Sequence, residues 1–244
     1  MTLSIIIPLF NEESRFSKTA NYMEEFLINQ KLFEKIDLIF VNDGSTDKTL
    51  ENIKNFSMRH NAAVLSYEKN RGKGYAVRAG MSTAKGDYAL FMDADMSTEP
   101  REIEKFLGAM QGGTPVIIGS RRSKGSNVLV SQPLYRTIMG MVFTAFANIM
   151  MGMRIPDFTC GFKCFSRRAR EEIFPRSLID RWSFDTEILF LAKLKGFEIA
   201  AVPVTWQNDA VTTVRLGRDT IGSLFDLIRI RWHHALGRYK KRKL

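Results

Sequence analysis

The stretch Leu3-Ser4-Ile5-Ile6-Ile7-Pro8-Leu9-Phe10-Asn11-Glu12 is a β-branched apolar run that ends abruptly in polar residues. A continuous run of this kind suits a strand buried on both faces. Working outward, the same unit recurs. Ser14–Lys31 reads as a helix whose apolar side carries Phe16, Ala20, Met23, Phe26 and Leu27. Ile36–Val41 reads as a second buried strand. Asp47–His60 reads as a helix with Ser45 or Thr46 available to cap it. Ala62–Tyr67, Tyr88–Met92 and Pro115–Ile118 read as further strands, with helices at Lys73–Thr83 and Glu99–Met110 between them. This βαβα order predicts an α/β fold with a doubly wound, mostly parallel sheet.

The pattern changes after Gly119. Ser120–Gln132 is polar and basic and reads as a loop, and Leu134–Gly152 as a methionine-rich helix. Phe162–Phe165 and Ile199–Val204 read as strands flanking a helix at Thr186–Leu194. Ala210–Arg218 lacks an apolar period and reads as a mobile loop. Thr220–Tyr239 is amphipathic, with a seam of Ile221, Leu224, Phe225, Ile228, Trp232, Ala235 and Leu236. The expected organisation is a domain over 1–215, with halves 1–119 and 120–215, followed by a basic amphipathic segment over 216–244.

Composition narrows the classes. The chain has 244 residues, 45% of them hydrophobic and 25% charged, which excludes a disordered chain. Its two cysteines, Cys160 and Cys164, form no disulfide framework and suit a reducing compartment. The net charge is +10, and nine Lys/Arg against two Asp/Glu follow from Arg215 onward. A basic tail suits nucleic acid or an anionic membrane surface. The N-terminal residues lack the basic region of a signal peptide. The longest uncharged stretch, Thr137–Met153, is 17 residues, short of the roughly 20 a spanning helix needs, so no transmembrane helix is expected.

In open α/β sheets, ligands bind beyond the carboxyl ends of the strands. Three polar groups fall there: Asn11-Glu12, Asn42-Asp43-Gly44-Ser45-Thr46-Asp47, and Asp93-Ala94-Asp95. Two carboxylates on one turn can hold a hard divalent cation, which keeps waters and takes substrate phosphates. A solvated acidic turn has the same local sequence.

The order and spacing of these groups, with Asn70-x-Gly72-Lys73-Gly74 between the last two, resemble the family-two glycosyltransferases of GT-A fold. In the second half, Gly119-Ser120-Arg121, Asp157-x-x-Cys160-Gly161-Phe162-Lys163 and Arg181-Trp182-Ser183-Phe184-Asp185-x-Glu187 resemble the dolichyl-phosphate β-glucosyltransferase group and its prokaryotic polyprenyl-phosphate relatives. The resemblance implies that Pro8, Leu9, Asn11, Glu12 and Gly44 line the donor pocket and that Asp43 recognises the nucleobase. It makes Asp93, Ala94 and Asp95 the ribose and metal turn. Asp93 and Asp95 would be ligands to Mg2+ or Mn2+, Asp95 foremost. The family often carries two acids where this chain has Asn42-Asp43, and many relatives add C-terminal membrane spans.

Transfer to a phosphate sets the remaining expectations. A phosphate monoester is mostly dianionic at neutral pH and needs no general base. It must instead approach another anion, which a cation on the donor and arginines on the acceptor allow. Arg121, Arg122 and Arg136 are the acceptor candidates; Lys73, Arg215 and Arg218 are candidates for the donor phosphates. Each could equally be a solvated surface charge. Asp157 is a further acceptor-side candidate. Asp185 could bind sugar hydroxyls or orient an arginine, or simply open a helix as an acid at its N-terminus.

The resemblance thus implies inverting hexose transfer, from UDP-glucose by preference, to a lipid-linked phosphate on the cytoplasmic face of a membrane. GDP-mannose, another UDP-sugar or a hydroxyl acceptor stay open. The basic amphipathic helix would lie on an anionic leaflet or pack on the domain. The methionine-rich helix would be core or an adaptable groove for an isoprenoid chain. A nucleic-acid-binding protein is the reading from outside this class. It leaves Asp93 and Asp95 without a role and lacks aromatic stacking residues, so no nucleic-acid partner is expected. No oligomeric state follows.

Overall fold

A computed structural model describes residues 1–209 and 218–240, the side chains of 218–221 excepted. The strands are β1 (Thr2–Leu9), β2 (Lys35–Asp43), β3 (Ala63–Tyr67), β4 (Tyr88–Met92), β5 (Val116–Ser120), β6 (Asn127–Val130), β7 (Phe162–Ser166), β8 (Ile199–Pro203) and β9 (Thr205–Gln207). The helices are α1 (Phe16–Asn29), α2 (Thr49–His60), α3 (Lys73–Thr83), α4 (Leu107–Gln111), α5 (Leu134–Met151), α6 (Arg167–Ile173), α7 (Phe184–Leu194) and α8 (Arg218–Ala235).

Seven strands form one sheet in the order β3-β2-β1-β4-β7-β5-β8. All neighbours run parallel except β7, which is antiparallel to both β4 and β5. The expected doubly wound, mostly parallel α/β sheet is what forms. Its apolar strands are explained by two cores, one on each face. Ile5 and Ile7 of β1 pack with Phe16, Phe26 and Phe56, while Ile6 packs on the opposite face with Val77 and Met81 of α3. Alternate residues of one strand thus serve both faces, which is why β1 shows no polar alternation.

Several local expectations change. The stretch Ser120–Gln132 is not all loop, because Asn127–Val130 pairs in parallel with β9 as a separate two-stranded sheet. The segment Glu99–Met110 splits into a 3-10 helix, Pro100–Phe106, and the single turn of α4. Helix α2 starts at Thr49, and neither Ser45 nor Thr46 caps it. Asp47 accepts from the Thr49 amide, while the Ser45 hydroxyl and Thr46 amide are engaged with Asn11. The loop Ala210–Arg218, with Arg215, lies outside the described residues up to the start of α8, as does the side chain of Arg218.

The two late helices depart furthest from expectation. α5 is not ordinary core: Leu134, Ile138, Met141, Val142 and Ile149 are exposed, and only Thr144, Ala147 and Met151 are buried. It is long and apolar enough, by length and composition, to cross a membrane, with 17% of that span buried in the molecule. This revises the expectation that no helix would pass; the 18-residue window starts at Leu134 and tolerates Arg136. In α8 the expected seam is not what packs on the domain. Leu227, Ile230 and His233 are buried, whereas Phe225 (65%), Ile228 and Trp232 (61%) lie open, with Leu224 and Leu236.

Candidate active site

Strand order reverses between β1 and β4, and the crevice at such a reversal receives the carboxyl ends of the strands. The turn after β4 is pinned on every side. The Asp93 amide donates to Gly161 O at 3.1 Å. The Thr19 hydroxyl donates to Ala94 O at 2.6 Å, and the Lys18 ammonium to Asp95 O at 2.8 Å. The Asp95 carboxylate accepts from the Ser97 amide at 2.9 Å. Met96 closes the turn in the left-handed region at φ 56. Gly161 is required opposite Asp93, since a Cβ there would fall 2.0 Å from Asp93 Oδ2.

The donor set suits a hard cation. Asp93 Oδ1 is a buried oxygen paired with the Lys73 ammonium at 2.5 Å. Burial and the neighbouring Asp93 push the Asp95 carboxyl up, the shift a nearby cation would reverse. Among the described residues no third acid or histidine completes a metal cluster with this pair. Two carboxylates suffice for an ion that takes its other oxygens from water and substrate phosphate.

The donor-side residues divide into surface and support. Leu9 and Ala94 point into the core. Asn11, at φ 53, takes the Thr46 amide on its side-chain oxygen and ties the β1 turn to the β2 turn. Glu12 is ion-paired with Arg15 at 2.5 Å, and burial pushes its carboxyl up. Gly44 at φ +67 lets the chain pass against Lys69 and Asn70. Asp43, expected to meet a nucleobase, is almost fully buried beneath the glycine-rich turn. It accepts from the Arg71 amide (2.8 Å), the Gly72 amide (2.9 Å) and the Asn70 side chain (2.8 Å). Its first role is therefore to shape Asn70–Lys73. Burial and Asp43 push up the neighbouring Tyr67 phenol, and Tyr67 stacks edge-on with Tyr75 at 5.3 Å.

The acceptor side is equally differentiated. Arg121 is not a free cation. Its guanidinium makes a bidentate pair with Asp157, at 2.7 and 2.8 Å, and reaches Thr159. Although burial opposes its charge, Asp157 is held well below the usual carboxylate range by Arg121. Arg122 lies across α5, donating to the Thr144 hydroxyl and resting against Gly140. Arg136 lies one turn before Gly140, and its buried Nε has no hydrogen-bond partner. Neither Arg122 nor Arg136 is paired with a carboxylate among the described salt bridges.

Among the described residues Asp185 pairs with a lysine and with no arginine. It opens α7 and is buried against Lys163, whose ammonium also donates to Cys160 O. Lys163 is the residue that reading the strand missed. It sits fully buried in β7, between Phe91 and Ile118 in register. A lysine inside Phe162-Lys163-Cys164-Phe165 was the available signal, since such a charge must find a buried partner.

Comparison with known proteins agrees with this geometry. The chain is 31% identical to dolichyl-phosphate beta-glucosyltransferase of Dictyostelium discoideum over 98% of its length and 76% of that protein. It is also 31% identical to the protein of that name from Saccharomyces cerevisiae, covering 99% and 77%. Among solved structures, mannosyl-3-phosphoglycerate synthase from Rubrobacter xylanophilus superposes with TM-score 0.69 at 19% identity, covering 100% of this chain and 77% of that one. Glucosyl-3-phosphoglycerate synthase from Mycobacterium tuberculosis, in complex with Mn2+, UDP-glucose and phosphoglyceric acid, gives 0.67 at 18%, covering 94% and 79%. The family Glycosyl transferase family 2 matches residues 4–174, and with the strand order, the pinned Asp93–Asp95 turn and these relatives, the chain belongs to that glycosyltransferase family.

Proposed function

We propose that this glycosyltransferase moves glucose from UDP-glucose to a polyprenyl phosphate of the dolichyl type, with inversion, at an anionic membrane surface. The observation that carries the acceptor is the pair Arg122 and Arg136. Arg136 lies on α5 and Arg122 rests against it, neither with a carboxylate partner among the described salt bridges, beside a helix whose outward side is apolar. A phosphate on a long apolar chain matches both features at once. The relatives named for dolichyl phosphate and glucose support the choice of acceptor and sugar. The solved neighbour holding Mn2+ and UDP-glucose supports the donor and a divalent ion.

In this reading Asp93 and Asp95 would hold Mg2+ or Mn2+, which would supply positive charge for the departing nucleoside diphosphate. Arg136 and Arg122 orient the acceptor phosphate. One of its oxygens attacks the anomeric carbon, forming the new C–O bond as the bond to the nucleotide β-phosphate breaks. UDP leaves from the opposite face, so the configuration inverts. Phosphate needs no proton removed. The surroundings agree, because Asp157 is held ionised by Arg121 and Asp185 is occupied by Lys163. A hydroxyl acceptor would need one of them free to take a proton.

Helices α5 and α8 pack on each other and present Ile138, Val142, Phe225 and Trp232 outward. With Arg229, Arg231, Arg238 and Lys240 nearby in sequence, this suits an anionic leaflet. The buried free thiols Cys160 and Cys164 suit its reducing, cytoplasmic side.

The test is turnover with UDP-glucose, GDP-mannose and other UDP-sugars, each against a polyprenyl phosphate and against soluble sugars. Glucosyl lipid phosphate from UDP-glucose is expected. Turnover restricted to soluble hydroxyl acceptors would overturn the acceptor, and preference for GDP-mannose would overturn the donor.

A further inference from the structure

We propose that Lys73 is the resident counter-ion of the Asp93–Asp95 turn, so that a divalent cation enters only together with the donor, as the Lys73 ammonium leaves Asp93 for the donor diphosphate. This rests on the reading that Asp93 and Asp95 hold the cation.

Three observations carry it. First, one oxygen has two claimants. Asp93 Oδ1 is buried and meets the Lys73 ammonium at 2.5 Å. The Asp93 backbone is held by its amide bond to Gly161 O, and its other oxygen lies against Gly161.

Second, the ammonium is held where the acids converge. Its ion-pair partner is Asp93 at 2.5 Å, and Asp185 and Asp95 also act on its charge. An ammonium in that position opposes a second cation beside it.

Third, charge balance selects a joint exchange. Asp93, Asp95 and Asp185 against Lys73 and Lys163 leave one net negative charge. A divalent cation alone would turn this positive with Lys73 displaced and unpaired. A nucleoside diphosphate alone would pile anions together. A divalent cation and the doubly charged diphosphate of a nucleotide sugar arriving together restore the original balance and give Lys73 a new anionic partner. Lysine suits this exchange because its point charge sits on a flexible four-carbon stem.

The experiment measures Mn2+ binding directly, by loss of the free-ion electron paramagnetic resonance signal, with and without UDP. Wild type is expected to bind Mn2+ weakly alone and about 100-fold more tightly with UDP. Lys73→Ala should bind Mn2+ alone about 10-fold more tightly than wild type and lose most of the UDP-induced gain. Lys73→Met, which keeps the stem, replaces it if the alanine variant melts early. Equal Mn2+ affinity of wild type and both variants without UDP would overturn the proposal, as would wild type binding Mn2+ alone as tightly as with UDP. Asp95→Asn separates the two readings. If it retains wild-type Mn2+ affinity in the presence of UDP, the cation assignment itself fails. If it loses that affinity while the Lys73 variants behave as wild type, only the counter-ion role fails.

Discussion

Around Asp93–Asp95 nearly every polar group is tied to another inside the molecule, down to the carbonyls of Ala94 and Asp95. Along α5 and α8 the reverse holds: large apolar side chains face outward, and Arg122 and Arg136 have no acidic partner among the described salt bridges. The first region is preorganised, with its dipoles fixed before any ligand arrives, which is what charge stabilisation in a reaction requires. The second would be costly in water alone, since large exposed apolar patches mark interaction surfaces. It reads as a surface completed by something apolar and anionic. On the proposed function, the contrast separates a donor site finished by folding from an acceptor site finished by a second phase.

The largest effect is expected where the two regions meet. Glu187 of α7 is fully buried, takes the amides of Leu178 and Ile179 on one oxygen, and lies against Tyr239 beyond α8. The adjoining Asp180 carbonyl accepts from Tyr75 next to the glycine-rich turn. Burial pushes the Glu187 carboxyl from 4.5 up to about 7. The folded state therefore binds the proton more tightly than the unfolded one. This contribution is complete below the unfolded pKa of 4.5 and is lost as pH rises through about 7, on the order of 3 kcal/mol in all. Glu187→Gln should flatten the pH dependence of the unfolding free energy between pH 5 and 8 relative to wild type. Parallel curves for the two proteins would show that Glu187 is ionised in the fold and that the joint is not built on a neutral carboxyl.

Next in size is Arg136→Ala. Losing a charge-assisted contact to phosphate costs about 2 kcal/mol, so the KM for a polyprenyl phosphate should rise roughly 10- to 100-fold while that for UDP-glucose holds. A rise confined to the donor KM would move Arg136 to the other side of the reaction. Folding stability should hardly change, because no acid pairs with this arginine in the described salt bridges.

The smallest effect concerns α8. Trp232 is 61% exposed, so most of the apolar area that Trp232→Ser removes faces outward from the domain. Partitioning onto anionic vesicles should weaken about 10-fold, with turnover of a short-chain, water-soluble acceptor phosphate unaltered. Unchanged partitioning would shift the contact to α5.

The parts of the molecule legible beforehand are those governed by local pattern. The apolar run of β1, the α3 helix at Lys73–Thr83 and β4 at Tyr88–Met92 lie where hydrophobic periodicity puts them. The positions of Asp43, Asp93 and Asp95 at strand ends follow from the same pattern and from topology rules for parallel sheets. Less legible were pairings over long sequence distance. Nothing near Arg121 says that Asp157, 36 residues on, neutralises it. Nothing near Asp43 says that three donors from Asn70–Gly72 occupy it. The β6–β9 pair likewise joins segments whose separate patterns are weak.

Periodicity, then, settled which segments are strands and helices and which acids sit at the strand tips, because a side chain's face depends on its immediate neighbours. Which charges are spent on each other and which remain for a ligand was decided by the folded arrangement, because an ion pair depends on distance in space. The outward seam of α8 shows both at once. Its apolar residues were plain from their spacing, but that Leu227 and Ile230 would take the inward side, leaving Phe225 and Trp232 open, depended on what packed beside it.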